Sequence, residues 1–369
     1  MKGFSEKKIR ELRARIASEN INSAVFLCTE SLFDPNIGYL TGLQLQRASS
    51  FAALIVSQKK SFLAVTPLEY EQAQSEANAD KIIKLSGAGS LKAFFKENLT
   101  KGAEIGVNGK NISFSASKLL PKGRKRELSG ICSKMREIKE PEEIELIRKA
   151  CKIADRGAKY LFEALSPNLT ERELALGIEN EMRRFGADEP SFPTILTSGK
   201  RSSLIHPSPG FLGKKIKRGL GLADFGARYR GYCSDITVPF AMGKLSAKEE
   251  KIARAVEKAY EKTIRLAEYG VPTWKLHKAA QDSIWESGFR LEYAIGHGIG
   301  LDLHDSPLIG PKPKKIPKNW AETKLAEGMA FTIEPGVHVP GVGGWRIEND
   351  FLMERGGLKK LTNAKPIFI

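Results

Sequence analysis

Asp224, Asp235, Glu334 and Glu348 fall in two segments that each read as a β-hairpin, and a glycine-flanked histidine, His297, lies between the segments. No other feature constrains the fold as much, because acids set in apolar strands need a partner or a cation. Residues 220–240 read LGLADFGARYRGYCSDITVPF. Placing Tyr229 and Arg230 at the centre of the turn pairs 228 with 231 and, counting outward, Asp224 with Asp235. The two carboxylates then become cross-strand neighbours with Cβ atoms about 5 Å apart. That spacing suits a shared pair of metal ions roughly 3.5–4 Å apart. Left without a cation, the two acids would repel and take up protons. Taken alone, this segment fits a solvated hairpin with two acids on its wet face equally well.

Residues 327–354 read EGMAFTIEPGVHVPGVGGWRIENDFLME. A strand (Met329–Ile333) runs into a Pro- and Gly-rich loop and returns as Gly344–Met353. The midpoint of Glu334 and Glu348 is Gly341, inside that loop, so this second acid pair also meets across the strands, subject to bulges. Phe331, Ile333, Trp345 and Ile347 make the surroundings apolar. Arg346 either supports the site or forms an ion pair nearby. Two facing acid pairs plus an imidazole match the ligand needs of two divalent metal ions, so the residues point to a two-metal hydrolase.

The chain has five histidines: His206, His277, His297, His304 and His338. Residues 296–307 read GHGIGLDLHDSP. The glycines at 296, 298 and 300 allow close backbone approach, and a neutral ring nitrogen of His297 is a natural ligand. The same glycines resemble a nucleotide-binding loop only weakly, because LDLHDSP stands where a helix should begin. His304 is placed to point into the same cavity. His206, in the loop-like SGKRSSLIHPSPG, is a candidate supporting group. His277 reads as helical surface and His338 as a loop residue.

The strings DFGARYRGYCSDIT, GHGIGLDLHDSP, EGMAFTIEPG and WRIEND, in that order, resemble the pita-bread metallopeptidases, a family that includes methionine aminopeptidases, Xaa-Pro aminopeptidases and Xaa-Pro dipeptidases (prolidases). The resemblance implies an α+β fold with a C-terminal pita-bread catalytic domain. It also implies ligand roles. Asp224 would chelate one metal, Asp235 and Glu348 would bridge both, and His297 and Glu334 would complete the second site. His206, His304 and Arg346 would face the substrate, with Glu334 shuttling a proton. Two divalent ions are implied, manganese or cobalt first and zinc or iron as alternatives. Repurposed relatives usually lack one or more ligands, whereas here every ligand position is filled.

Pro141 and the acids after it open a helix, EEIELIRKACKIADRGAKYLFEAL, with Ile144, Ile147, Ala150, Ile153, Ala154 and Leu161 on one stripe. This places a boundary near SKMREIKEP and gives two domains, 1–135 and 138–369. The first reads as a smaller α/β domain: a helix over 5–19, strands at Ile21–Leu27, Phe51–Val56 and Ser61–Val65, then alternating elements to about residue 130. PNIGYLTGL (Pro35–Leu43) resembles a stretch of creatinase- and prolidase-type N-terminal domains. Methionine aminopeptidases lack such a domain, so the resemblance favours the Xaa-Pro branch.

No apolar run approaches the roughly 20 residues of a membrane span, and the charged start MKGFSEKKIRELRARI lacks a signal-peptide core. The four cysteines show no framework spacing and read as reduced thiols. The expectation is a cytoplasmic protein that binds no membrane. The net charge of +16, from 59 basic and 43 acidic residues, is spread without aromatic interleaving, so nucleic acid is not an expected partner. One basic segment, PKPKKIPKN (Pro311–Asn319), is placed to steer acidic peptides through Lys312, Lys314, Lys315 and Lys318; a loop with no role explains it equally well.

The expected reaction is hydrolysis before proline at the N-terminus of peptides, as in Xaa-Pro aminopeptidases. A dipeptidase is the alternative, and a non-catalytic peptide-binding protein of the same fold is a lesser one. The resemblance also implies a homodimer. Two departures stand out. Leu308 occupies a position where prolidases often carry an arginine for the dipeptide carboxylate. Val238 and Pro239 stand where relatives commonly have polar residues, which predicts an altered contact near the metals.

Overall fold

The computed structural model describes residues 2–29, 31–46, 51–87, 89–207, 214–316 and 321–369. The chain forms two compact units, Met1–Met135 and Arg136–Ile369. In the first, the continuous apolar runs become the centre of a six-stranded mixed sheet. Its order is Lys81–Lys84, Ser61–Val65, Ala52–Ser57, Ser23–Cys28, Ile105–Val107 and Lys125–Glu127. The middle strands are apolar throughout because both faces are covered: Ser23–Cys28 is buried along its whole length. Helix Lys2–Ser18 precedes the sheet, and PNIGYLTGL becomes the short helix Asn36–Thr41.

In the second unit, Pro141 begins helix Pro141–Ala164, closed at its start by a capping box between Glu140 and Glu143. Proline costs nothing in the first turn, and the reciprocal carboxylate contacts satisfy otherwise orphaned backbone donors. Its apolar stripe joins helix Glu171–Arg184 against a four-stranded sheet, ordered Ile367–Phe368, Ile236–Met242, Gly219–Phe225 and Ile195–Ser198. A second pair of helices, Ala247–Leu266 and Thr273–Glu286, packs on a five-stranded sheet. That sheet runs Asp305–Leu308, His297–Gly298, Ala330–Ile333, Asn349–Glu354 and Gly357–Lys360. Ile252, Val256, Leu276 and Ile284 meet Phe331, Ile333 and Phe351 there, each large apolar side chain contributing about 1.5–3 kcal/mol on burial.

An isolated bridge between Thr237 and Glu348 joins a strand of the first sheet to the approach to the second. The acids therefore gather where two sheets meet, each backed by its own helix pair. Among the described residues, no helix is long and apolar enough to cross a membrane. All four cysteines are free and buried.

Candidate metal centre

The first hairpin turns one residue later than the sequence count. Arg230 and Gly231 occupy the turn with φ of 48° and 85°, the pair of positive values that a tight type I′ connection requires. The Arg230 N–H also donates to Asp188. Tyr229 consequently pairs with Tyr232, and Asp224 faces Thr237 rather than Asp235. A shift of two residues preserves the face, so Asp235 remains on the side of Asp224, diagonal to it. The glycine at the second turn position was the signal for this register.

The second hairpin keeps the expected count. Ile333 pairs with Asn349, and Gly336 with Arg346. Between those pairs the ladder is broken, so Glu348 turns to Thr237, whose carbonyl accepts the Glu348 N–H at 3.2 Å. Thr237, passed over in the sequence, stitches the two hairpins together. It is fully buried, its hydroxyl donates to Glu348 Oε2 at 2.6 Å, and it accepts from Arg346 Nε at 3.0 Å.

One donor atom each from Asp235, His297 and Glu348 lie within 4.8 Å of one another. His297 Nε2 is 3.5 Å from Asp235 Oδ2 and 3.4 Å from Glu334 Oε1. The other ring nitrogen, Nδ1, lies 3.1 Å from the Gly298 carbonyl. A carbonyl only accepts, so in the neutral ring Nδ1 carries the proton and the Nε2 lone pair faces the acids, as a metal ligand requires. Gly298 allows this approach, since a Cβ there would fall 2.0 Å from the Ser306 carbonyl oxygen. Thr332 Oγ1 accepts the His297 N–H at 3.2 Å.

Three carboxylate oxygens, Asp224 Oδ1, Asp235 Oδ1 and Glu348 Oε1, are buried with no hydrogen-bond partner. Orphan acceptors of this kind are costly unless a cation completes them. Burial, then the neighbouring acids, push Asp235 and Glu348 well above the usual carboxylate range. Burial raises Glu334 as well, against the pull of His297 and Arg346. Burial also raises Asp224, opposed chiefly by Arg346. The donor set therefore fits a divalent metal ion.

Arg346, expected on the substrate side, is 2% exposed and is turned into the site wall, where it pairs with Asp224. His304 is exposed on the rim, its ring edge-on to His297 at 4.2 Å between centroids. Desolvation, with His297 and His206 beside it, brings its pKa down to about 4. His206 is exposed and close enough to act on the charges of Asp224 and His304.

The His304 loop is held by Arg136, a residue the sequence reading did not single out. Arg136 is buried and contacts Asp302 at 2.7 Å and Asp305 at 3.0 Å, the acids on either side of His304. Asp350 is another omission. It is fully buried, accepts the Asp235 N–H at 3.0 Å and the Cys151 thiol at 3.3 Å, and burial pushes it up to about 7.

Two expectations fail. His277 is not surface: it is 4% exposed, on the same helix face as Leu276 and Ala280. Val238 touches no ligand, because alternation along the strand sends it away from Thr237 into the core with Ile153 and Phe225. In the basic segment, Lys312 lies 5.1 Å over the Trp274 ring, while Lys318 lies outside the described residues.

Comparisons with known proteins agree with this geometry. The model of metallopeptidase family M24 matches residues 145–355, and that of the creatinase/prolidase N-terminal domain matches residues 8–138. A Xaa-Pro dipeptidase of Pyrococcus horikoshii is 33% identical over 340 residues, covering 90% of this chain and 91% of the relative. The solved prolidase of the same organism superposes with a TM-score of 0.85 at 30% identity, over 98% of this chain and 99% of that one. An X-Pro aminopeptidase from Thermotoga maritima gives 0.80 at 26% identity, over 97% of this chain and 100% of that one. The architecture is the pita-bread α+β fold preceded by a creatinase-type domain.

Proposed function

The chain belongs to metallopeptidase family M24, and from that premise we propose that it hydrolyses the bond between an N-terminal residue and proline. The observation that carries this reading is the buried Asp235, His297 and Glu348 cluster with its orphan oxygens, inside the M24 domain. Two divalent ions fit the proposal, manganese or cobalt before zinc or iron, because oxygen and imidazole donors admit all four. Asp224, Asp235, His297, Glu334 and Glu348 would hold them. Bound there, a divalent ion would supply Lewis acidity for the scissile carbonyl and lower the pKa of water.

The chain's own groups supply the rest. Glu334, whose proton affinity burial raises, accepts a proton from the attacking water and passes it to the leaving imino nitrogen. His304 is neutral at pH 7, with a pKa of about 4, and with His206 donates to the developing oxyanion. Arg346 fixes Asp224 from behind.

Dipeptides are the first substrate class. Xaa-Pro dipeptidases and prolidases are named among the most similar proteins, so the alternative weighed in the sequence has more support than the aminopeptidase placed first there. One observation favours the second reading. Leu308 pairs with His297 across the strands and is 62% exposed, so it offers the site mouth an apolar surface and no cation for a terminal carboxylate. Assaying stripped and metal-reloaded protein on Ala-Pro, Ala-Pro-Ala and Met-Ala-Ser separates the cases. Cleavage of Ala-Pro alone makes it a dipeptidase, cleavage of both proline peptides an aminopeptidase, and silence with every metal removes the peptidase reading. Loss of metal and activity in Asp235→Asn would tie the reaction to the cluster. A homodimer, proposed on family resemblance, is tested by light scattering. Cytoplasmic residence is proposed from the four free thiols.

A further inference from the structure

Behind Asp224 lies a line of hydrogen bonds whose direction is fixed by chemistry. Arg346 has only donors. It spends them on Asp224, on Thr237 Oγ1 and on the Tyr293 hydroxyl oxygen. With its oxygen accepting from Arg346, Tyr293 directs its own O–H to His338 Nε2, 3.3 Å away. That nitrogen must then be the acceptor, so the ring proton sits on Nδ1, which lies 3.1 Å from the Ser202 carbonyl oxygen. A carbonyl can only accept, so the line closes without a clash of donors. Ser202 belongs to the Gly199–Ser203 turn, four residues before His206.

The packing around this line is equally specific. A Cβ at Gly336 would fall 2.1 Å from the Tyr293 hydroxyl, and one at Gly344 would fall 2.5 Å from His338 Nδ1 and 2.2 Å from the Ser202 carbonyl oxygen. Both strands of the Gly336–Val339 and Gly343–Arg346 hairpin thus leave out a side chain where the line passes. The buried His277 ring hydrogen-bonds the Tyr293 backbone, fixing the middle of the line from a helix. The net effect is a guanidinium held from behind, with Asp224 Oδ2 paired to it and Asp224 Oδ1 left without a partner.

We propose that Tyr293 and His338 are positioning residues: they tether Arg346 to Asp224 Oδ2 so that Oδ1 stays available to a divalent cation. The inference rests on the reading of Asp224 as a metal ligand. An untethered guanidinium is a planar fork that can grip both oxygens of one carboxylate, and in doing so it competes with the ion. The tether therefore acts on metal affinity, which a purely structural hydrogen bond would leave alone.

The test uses the full-length chain, stripped and titrated with Mn2+ by calorimetry. Tyr293→Phe, which removes only the hydroxyl, should weaken Mn2+ binding about tenfold, the scale of one hydrogen bond to a charged group. Activity should fall at limiting Mn2+ and return at excess. His338→Phe should behave alike, whereas His338→Gln, which keeps an acceptor and a donor on one side chain, should stay within about threefold of the wild type. Unchanged Mn2+ affinity in Tyr293→Phe, or His338→Gln as weak as His338→Phe, would overturn the proposal. Nitrogen-15 spectra of the wild-type histidines provide a readout free of any variant's folding: His338 should carry its proton on Nδ1, and a proton on Nε2 refutes the line. Absence of Mn2+ binding by the wild type would instead sink the metallopeptidase reading, and the His338 tautomer would still decide this one.

Discussion

Replacing Arg346 with methionine should damage the metal-free protein much more than the metal-loaded one. Methionine keeps much of the volume and removes the charge. Arg346 is 2% exposed and is paired with Asp224, whose Oδ1 already has no hydrogen-bond partner. Removing one side of a buried ion pair costs about 3–5 kcal/mol, because the other charge stays behind. In a unit of this size each kcal/mol moves the thermal midpoint by about 2–4 °C, so the stripped variant should melt roughly 6–20 °C below the stripped wild type. A bound divalent ion gives Asp224 a replacement cation, and the deficit should then fall to less than half. By linkage, the variant binds the ion more tightly, about tenfold for each 1.4 kcal/mol by which the two deficits differ. The pH dependence has a definite sign. Burial raises Asp224, and Arg346 is the main opposing influence, so removing it raises the carboxyl further. A carboxyl whose folded pKa lies above its unfolded one binds more protons in the native state, and its contribution to stability declines as pH rises from about 4. The deficit should therefore be small at pH 5 and large at pH 8. Urea unfolding followed by circular dichroism, with chelator or with Mn2+, measures all four conditions. A stripped-state deficit below about 1 kcal/mol at pH 8, or one that metal does not reduce, would refute the reasoning.

Three further outcomes are expected. Because burial and neighbouring acids raise Asp235 and Glu348, metal binding at neutral pH should release protons and tighten as pH rises; calorimetry in buffers of different ionisation enthalpy reads the release, and identical heats would contradict it. Gly298→Ala would drive a Cβ to 2.0 Å from the Ser306 carbonyl oxygen, backbone that cannot swing aside, so it should cost about 1–3 kcal/mol and remove metal-dependent cleavage; a variant with full activity and an unchanged midpoint would show the loop to be more yielding than its geometry. Leu308→Arg places a cation opposite His297, so the KM for Ala-Pro should drop several-fold with little change for Ala-Pro-Ala, and equal effects on both would detach Leu308 from the substrate carboxylate.

Much of this site is legible along the chain because its chemistry is local. An acid between apolar strand residues announces itself at Asp224, Asp235, Glu334 and Glu348, and the glycines around His297 mark a close backbone approach. Even the 334–348 pairing follows from counting, since one continuous register runs through the hairpin. The first hairpin defeated the count because its turn depends on two positive φ values, and an arginine in that conformation is not expected from propensity. The even shift nonetheless kept both acids on one face.

Tertiary structure decided what periodicity along one strand cannot encode. Thr237 looks like any strand threonine until another hairpin brings Glu348 and Arg346 to its hydroxyl. Arg136 reads as one more charge in a basic chain, yet it fixes the loop of His304 through Asp302 and Asp305, far along the sequence. His277 looked solvent-facing beside its lysines, but the helix rotation that buries Leu276 and Ala280 buries it too. The residue types of the candidate centre could be read because carboxylates and imidazoles carry their chemistry wherever they stand. Which of them share a proton, a guanidinium or a metal depends on distances between segments distant in sequence, and those are set only when the two sheets close on each other.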